Sequence, residues 1–560
     1  MCGIFCSICP KHALKPDQQT LENLKARGPD SFKEHIVVLP ASQTGGSRPA
    51  SLTLTFVATV LALRGDHIQV QPLVDTHTNS VLCWNGEAWK FNSRVVSGND
   101  TSQVFELLLS ASNAPRSRDE VLRVLTTIAG PFAFVYFDAI SSTLYYGRDR
   151  LGRRSLMISR DAAFSLIISS NSTNSTYSSC NEVDTATIHA LDLSHNLTEL
   201  ENLPWHEAQS GANRDLPPDQ HLPATPTPST VSALQSQLRD ALRLRVAAIP
   251  SLADRSEHPV QSKVAILFSG GLDCTILARI THDLLSLDQS IDLLNVAFEN
   301  PRSIKAANLS TDSSPYEICP DRSTGRSSYA ELTKSCPGRR WRFVAINVPY
   351  AETCQHRPRI IDLMHPHATE MDLSIAMALY FAARGIGVLH DNTVYATPAR
   401  VLLSGLGADE LFAGYTRHAT AFSRGGFQSL VEELDLDFTR IGTRNLGRDD
   451  RVMSYWGREV RYPYLDETFI AFTLQLPVWE KCGFRTGQLR PTSDNRGKNT
   501  VTRMQELDRA KMLLRLLAWD LGLPIVAAEK KRAIQFGART AKMELLAAGQ
   551  RRSKGTDAVV

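Results

Sequence analysis

Along the first half of the chain, apolar positions come in short runs and alternations broken by turn residues. Positions 51–63, 80–84, 131–138 and 143–147 carry this pattern, which predicts β-strands. Past residue 230 the period changes. Val231, Leu234, Leu238, Ala241, Leu242 and Val246 fall on one helical face, and Pro250 ends the run. Val264-Ala265-Ile266-Leu267-Phe268 then reads as a buried strand, followed by a Gly-Gly turn, a helical pattern over 275–285 and a strand over 293–298. Strand, helix and strand at this spacing predict a βαβ unit of a parallel sheet. Further helices are predicted over 373–383 and 507–521. Segment 300–340, rich in Ser, Thr, Pro and Arg, reads as an excursion over that sheet. The tract SSNSTNSTYSS at 169–179 predicts a surface loop, and the Pro-rich stretch 203–230 a linker.

Composition narrows the class. A chain of 560 residues has room for about three or four domains, or two large ones. Hydrophobic content of 42% and charged content of 21% are those of a soluble globular enzyme. A net charge of +3 gives no electrostatic footprint for nucleic acid or an anionic membrane. No apolar run reaches the ~18–20 residues of a membrane span, and the start lacks the pattern of a signal peptide. The Asn-Ser-Thr triplets of the polar tract are then empty as glycosylation acceptors. Ten scattered cysteines do not form a secreted disulfide framework, so a reducing, cytoplasmic setting is expected.

Two stretches carry candidate chemistry. In Met1-Cys2-Gly3-Ile4, loss of Met1 leaves Cys2 with both a thiol and a free α-amine. An amine of pKa roughly 7.7–8.0 is partly neutral at cell pH and can take the thiol proton. In Ser269-Gly270-Gly271-Leu272-Asp273-Cys274, two glycines after a strand open a helix. Backbone N–H groups at such a start attract phosphate, and Asp273 can hold a magnesium ion on its oxygens. The spacing is not that of a Walker loop.

These motifs resemble the glutamine-dependent asparagine synthetase family. The N-terminal portion is similar to class II glutamine amidotransferase domains through Cys2-Gly3-Ile4, Arg27-Gly28-Pro29-Asp30, Trp84-Asn85-Gly86-Glu87, Asn99-Asp100-Thr101 and Arg148-Asp149-Arg150-Leu151-Gly152. The C-terminal portion resembles the synthetase domain through the Gly-Gly loop, Ser404-Gly405-Leu406-Gly407-Ala408-Asp409-Glu410, Arg448-Asp449-Asp450-Arg451 and Glu459-Val460-Arg461-Tyr462-Pro463. The resemblance implies an α+β N-terminal-nucleophile (Ntn) four-layer glutaminase domain at 2–202 and a linker at 203–230. An α/β parallel-sheet ATP-pyrophosphatase-type synthetase domain would follow at 231–545, with a disordered tail at 546–560. It implies Cys2 as nucleophile, Asn85 and Gly86 as oxyanion hole, and Arg64, Glu87 and Asp100 as the glutamine pocket. Ser269, Gly270, Gly271, Asp273 and Gly405 would bind ATP, and Asp273 with Asp409 would hold Mg2+. Lys531, with Arg532 as rival, would stabilise the transferring phosphate. The implied reaction adenylates a carboxylate, most simply aspartate, and displaces AMP with ammonia from glutamine. The implied partners are small molecules, with neither nucleic acid nor membrane.

Three departures from the family pattern bear on activity. Cys274 replaces the usual Ser of the Gly-Gly loop and is a weaker donor. Leu406 replaces a carboxylate that helps position or deprotonate ammonia, with Glu410 and Glu459 as possible substitutes. The 300–340 excursion lacks an obvious counterpart. The alternatives are therefore a glutaminase serving another carboxylate acceptor, or a nucleotide-binding protein without catalysis. A further alternative uses Cys2, Cys6 and Cys9 as a metal knuckle, against a bland core of thiols.

Overall fold

The computed structural model describes residues 2–10, 12–40, 51–160, 165–171, 180–194, 200–205, 211–217, 226–250, 262–307, 314–484 and 507–543. The alternating runs of the first half become two six-stranded sheets. One orders its strands Cys180–Glu182, Met157–Arg160, Leu166–Ser169, Gly3–Pro10, Ser51–Val60, Ser31–Pro40. The other runs Leu200–Pro204, Thr187–Asp192, Thr143–Arg148, Phe132–Asp138, Val81–Gly86, Leu73–Val74. Every pairing within them is antiparallel. Ile4, Cys6 and Ile8 of the first sheet meet Val81, Cys83 and Val135 of the second in one apolar layer. The helices Asp100–Ser112 and Ser117–Thr126 cover the outer face of the second sheet, and Gln18–Arg27 packs on the first. Helix, sheet, sheet, helix is the four-layer Ntn arrangement. The period of two also disposes of the metal knuckle. Cys6 lies in the apolar layer between the sheets, while Cys9, three residues on, turns to the opposite face beside His12 and Ser165.

The second domain is built on a seven-stranded sheet ordered Val394–Ala396, Ile386–Val388, Trp341–Val348, Ile291–Phe298, Val264–Leu267, Val401–Leu403, Glu459–Arg461. Five strands are parallel, as the βαβ pattern predicts, and an antiparallel hairpin extends the sheet at one edge. The predicted helices occupy Pro228–Val246, Leu272–Leu284, Glu370–Arg384 and Met512–Asp520. The excursion is also corrected. Its centre, Pro320–Ser335, is the helix that crosses from one parallel strand to the next. Its buried side carries Arg322, Gly325, Ser328 and Glu331, which are polar or small and so leave no apolar period to detect. Most of the polar tract, the core of the linker and the tail lie outside the described residues. Among the described residues, no helix is long and apolar enough to cross a membrane.

The domains are joined by buried charge. Arg27, fully buried, places Nη2 2.8 Å from Oδ2 of Asp450 in the other domain. Arg154 lies 3.2 Å from Glu459, Arg461 3.2 Å from Glu87, and Arg451 2.7 Å from Glu182. Arg153 donates to the carbonyl of Leu465 at 2.7 Å. Much of the family-like sequence therefore builds a joint. An apolar layer runs through it as well, since Leu61, Leu63 and Leu151 pack into the synthetase core. Removing one partner of a buried pair strands the other charge, at a cost of about 3–5 kcal/mol. Asp450→Ala is expected to lose that much stability in denaturant unfolding and to open the interface to limited proteolysis. Unchanged unfolding and digestion would show that the joint does not depend on this carboxylate.

Candidate active sites

The first site forms where the strand starting at Gly3 meets the end of the strand Val81–Gly86. Cys2 is buried and lines a small cavity with Leu63, Arg64, Gly86, Glu87, Asn99 and Asp100. The Cys2 backbone N–H donates to Asn85 Oδ1 at 2.8 Å, and Arg27 Nε donates to the Cys2 carbonyl at 3.0 Å. Asn85 is fully buried and its Nδ2 has no hydrogen-bond partner. A buried donor left unused is costly unless something completes it. Gly86 has no room for a side chain, since a Cβ there would lie 2.6 Å from the Pro131 carbonyl oxygen. Burial pushes the Cys2 thiol above its ordinary pKa, so the thiol needs a base to become a nucleophile.

The three predicted pocket charges are all present, with different surroundings. Asp100 accepts the Ala88 N–H at 2.7 Å, and burial raises its carboxyl. Arg64 lines the cavity, but its terminal nitrogens already donate to the carbonyls of Ala88 at 3.1 Å and Val96 at 2.7 Å. Glu87 sits between Arg64, at 3.5 Å, and Arg461 of the synthetase domain. Burial and the neighbouring Glu459 push its carboxyl up against the pull of Arg461. Glu87 is thus an interdomain link as well as a pocket wall.

The second site lies at the carboxyl ends of the parallel strands, where open α/β sheets bind ligands. Ser269, Gly270 and Gly271 connect the strand Val264–Leu267 to the helix Leu272–Leu284. Gly270 has φ +82°, and a Cβ on it would strike Gly325 of the crossover helix at 2.5 Å. No side chain caps this helix start, so its N–H groups remain directed to the cavity. Cys274 turns its Sγ back to the Gly271 carbonyl at 3.3 Å. The cavity wall includes Ser269, Asp273, Gly405, Asp409, Glu410 and Lys531, and Leu406 borders it too.

Lys511 is the site residue that sequence reasoning missed. Its Nζ lies 2.6 Å from Asp273 Oδ2 and 2.7 Å from Asp409 Oδ1, and Lys531 lies 3.2 Å from the same Asp409 oxygen. Burial lifts the Asp273 carboxyl; at Asp409 the two lysines overcome burial and hold it below the carboxylate range. Asp273 Oδ1 is buried without a hydrogen-bond partner. Two carboxylates with a free oxygen fit magnesium, which takes one or two protein carboxylates and completes its shell with phosphate and water. Lys531 also rests 3.9 Å from the centre of the Tyr415 ring, which holds its ammonium beside Asp409. Arg532 instead donates to Thr324 at 2.7 Å and pairs with Glu529. Of the two proposed substitutes for the missing carboxylate, Glu459 is consumed by Arg461 and Arg154, whereas Glu410 faces the cavity and accepts from Tyr415 Oη at 2.6 Å.

Comparison with known proteins follows the same division. A glutamine amidotransferase domain family matches residues 1–207, and an asparagine synthase family matches 259–433 and 425–488. Asparagine synthetase domain-containing protein 1 of Mus musculus is 32% identical over 97% of both chains. The Homo sapiens protein of that name is 32% identical, over 97% of this chain and 96% of its own. A Saccharomyces cerevisiae protein, also named for an asparagine synthetase domain, is 31% identical over 97% of this chain and 96% of its own.

Lys511→Met tests the charge balance. Asp409, whose carboxyl is held below its ordinary 3.8, contributes stability that is present above that pH and lost as pH falls through its lowered value. Without Lys511 the folded-state pKa values of both aspartates rise, that of Asp273 still further above its ordinary value, so the variant's deficit is full at neutral pH. It fades as acid protonates the pair. Denaturant unfolding is expected to show a loss of about 3–5 kcal/mol at pH 7 that shrinks towards pH 4. A deficit independent of pH would overturn this balance.

Proposed function

The chain belongs to the asparagine synthetase domain-containing protein 1 family, and we propose that it is a glutamine-hydrolysing, ATP-dependent amidotransferase that acts on a carboxylate, most simply aspartate. The observation that carries this reading is Asn85, whose Oδ1 holds the Cys2 N–H while its buried Nδ2 has no partner. Once Met1 is removed, the Cys2 amine takes the thiol proton and Sγ attacks the glutamine side-chain carbonyl. Asn85 Nδ2 and the Gly86 N–H stabilise the oxyanion. The amine returns the proton to the leaving ammonia, and water then releases glutamate from the thioester. Arg64 and Asp100 hold the α-carboxylate and α-ammonium of glutamine, and Glu87 orients Arg64.

In the second domain the acceptor carboxylate attacks the α-phosphorus of ATP and pyrophosphate leaves. Ser269, Gly270 and Gly271 cradle the phosphates, Gly405 borders the nucleotide, and Lys531 and Lys511 offset charge on the departing group. Bound magnesium, held by Asp273 and Asp409, would supply further charge neutralisation there. Ammonia crossing the joint attacks the acyl carbon, AMP leaves, and Glu410 accepts the excess proton in place of the carboxylate lost at Leu406. The thiol nucleophile needs a reducing compartment, and the cytoplasm is the location we adopt. The domain limits at 2–202 and 231–545 belong to this reading; the family matches, over 1–207 and within 259–488, support the division into two but not these limits.

The test supplies amide-¹⁵N glutamine, aspartate, ATP and magnesium and follows glutamate, AMP and labelled asparagine. The expected result is asparagine with equimolar AMP, abolished by Cys2→Ala. Asn85→Ala should slow glutamate release by about 10²–10³. Glutamate without AMP would refute aspartate as the acceptor and turn the search to other carboxylates. Glu410→Gln should slow labelled amide formation by about 10²–10⁴ while glutamate release persists. Unchanged amide formation would remove Glu410 from the proton path.

A further inference from the structure

Two features of the synthetase half have no role in the chemistry above: Asp321, at the start of the crossover helix, and Gly537, near the end of the described chain. They meet. A Cβ on Gly537 would fall 2.0 Å from Asp321 Oδ1, so a side chain at 537 would displace this carboxyl from its present place. Asp321 is 7% exposed, and its carboxylate has no hydrogen-bond or ion-pair partner among the described residues. A buried carboxylate without a donor is expensive. Burial pushes it up to about 7, against the pull of Arg532.

Its position suggests what the missing donor is. Asp321 lines two cavities that share the Gly-Gly loop. The larger extends over Leu294, Val296, Ile375 and Leu379, an apolar wall suited to a purine. The smaller is walled by Lys511, Lys531 and Arg532, suited to phosphates. Between the base and the phosphates of a nucleotide lies the ribose, whose hydroxyls are donors. A carboxylate repels phosphate and accepts from a hydroxyl. We propose that Asp321 binds a ribose hydroxyl of the nucleotide and makes the site select ribonucleotides over deoxyribonucleotides. This rests on the reading of the second site as an ATP site.

Calorimetric titration at pH 8 with ATP, 2′-deoxy-ATP and 3′-deoxy-ATP, magnesium present, tests both layers separately. On the unaltered protein at least one deoxynucleotide is expected to bind about tenfold or more weakly than ATP, the scale of a charged hydrogen bond. Asp321→Ala should weaken ATP by that factor and leave unchanged the deoxynucleotide that the unaltered protein discriminates against; Asp321→Asn, which keeps an acceptor, should fall between. Equal binding of all three nucleotides to the unaltered protein overturns the role of Asp321 without needing any variant to fold, and leaves the ATP site standing. Selectivity that survives Asp321→Ala also overturns it. Absence of ATP binding overturns the ATP reading, and this proposal with it.

Discussion

Everything in this molecule depends on charges that have been taken out of water. Arg27, Arg154 and Arg461 are essentially unexposed, and each meets a carboxylate of the opposite domain. Stripping water from an ion costs several kcal/mol, so each group is tolerable only while its counterpart stays in place. The domains are consequently held in one relative position. Arg461 illustrates the reach of this constraint: its guanidinium contacts Glu87 in the wall of the Cys2 cavity, while its carbonyl accepts the N–H of Ser404 at 3.0 Å, in the wall of the second-site cavity. One residue thus fixes a wall of each site.

The same economy governs the reactive groups. Each candidate site holds a buried polar atom without a hydrogen-bond partner: Asn85 Nδ2 in the residue that accepts the Cys2 N–H, and Asp273 Oδ1 at the start of the helix after the Gly-Gly loop. Elsewhere hydrogen bonds are spent on orientation. Arg64 gives its terminal nitrogens to carbonyls, which holds the side chain at the edge of the pocket. Cys274, the departure in the phosphate loop, is folded onto the backbone of its own turn. Its change from serine therefore alters the interior of the loop more than the surface offered to phosphate.

What could be read in the sequence follows from how locally it is encoded. Cys2, Asn85-Gly86 and the Gly-Gly loop are contiguous strings on strand ends, and strand alternation gave both sandwich sheets their inner faces. The crossover helix was illegible because its buried side sets a single leucine, Leu332, among polar or small residues such as Arg322, Gly325, Ser328 and Glu331. Ser328 donates to the Gly270 carbonyl, and Glu331 accepts the N–H groups of Ile525 and Val526. Lys511 escaped notice for a different reason. A lone lysine beside a helical run looks like a solvated charge until folding sets it between two aspartates. The antiparallel edge hairpin likewise has only three residues per strand, too short for a period to emerge.

The contact between Gly270 and Gly325 bears on how changes in this chain should be interpreted. Two backbones touch there with no space for a methyl group, so the curve of the phosphate loop is moulded against a helix distant in sequence. Gly325 lines neither cavity of the second site and carries no reactive atom. A tolerance map of the chain would nonetheless be expected to class it with the loop residues, because a Cβ at 325 would fall 2.5 Å from Asn295 Nδ2, which donates to the Phe268 carbonyl just ahead of the loop. Variants in this stretch of serines and arginines, which looks like dispensable surface, belong with lesions of the second site.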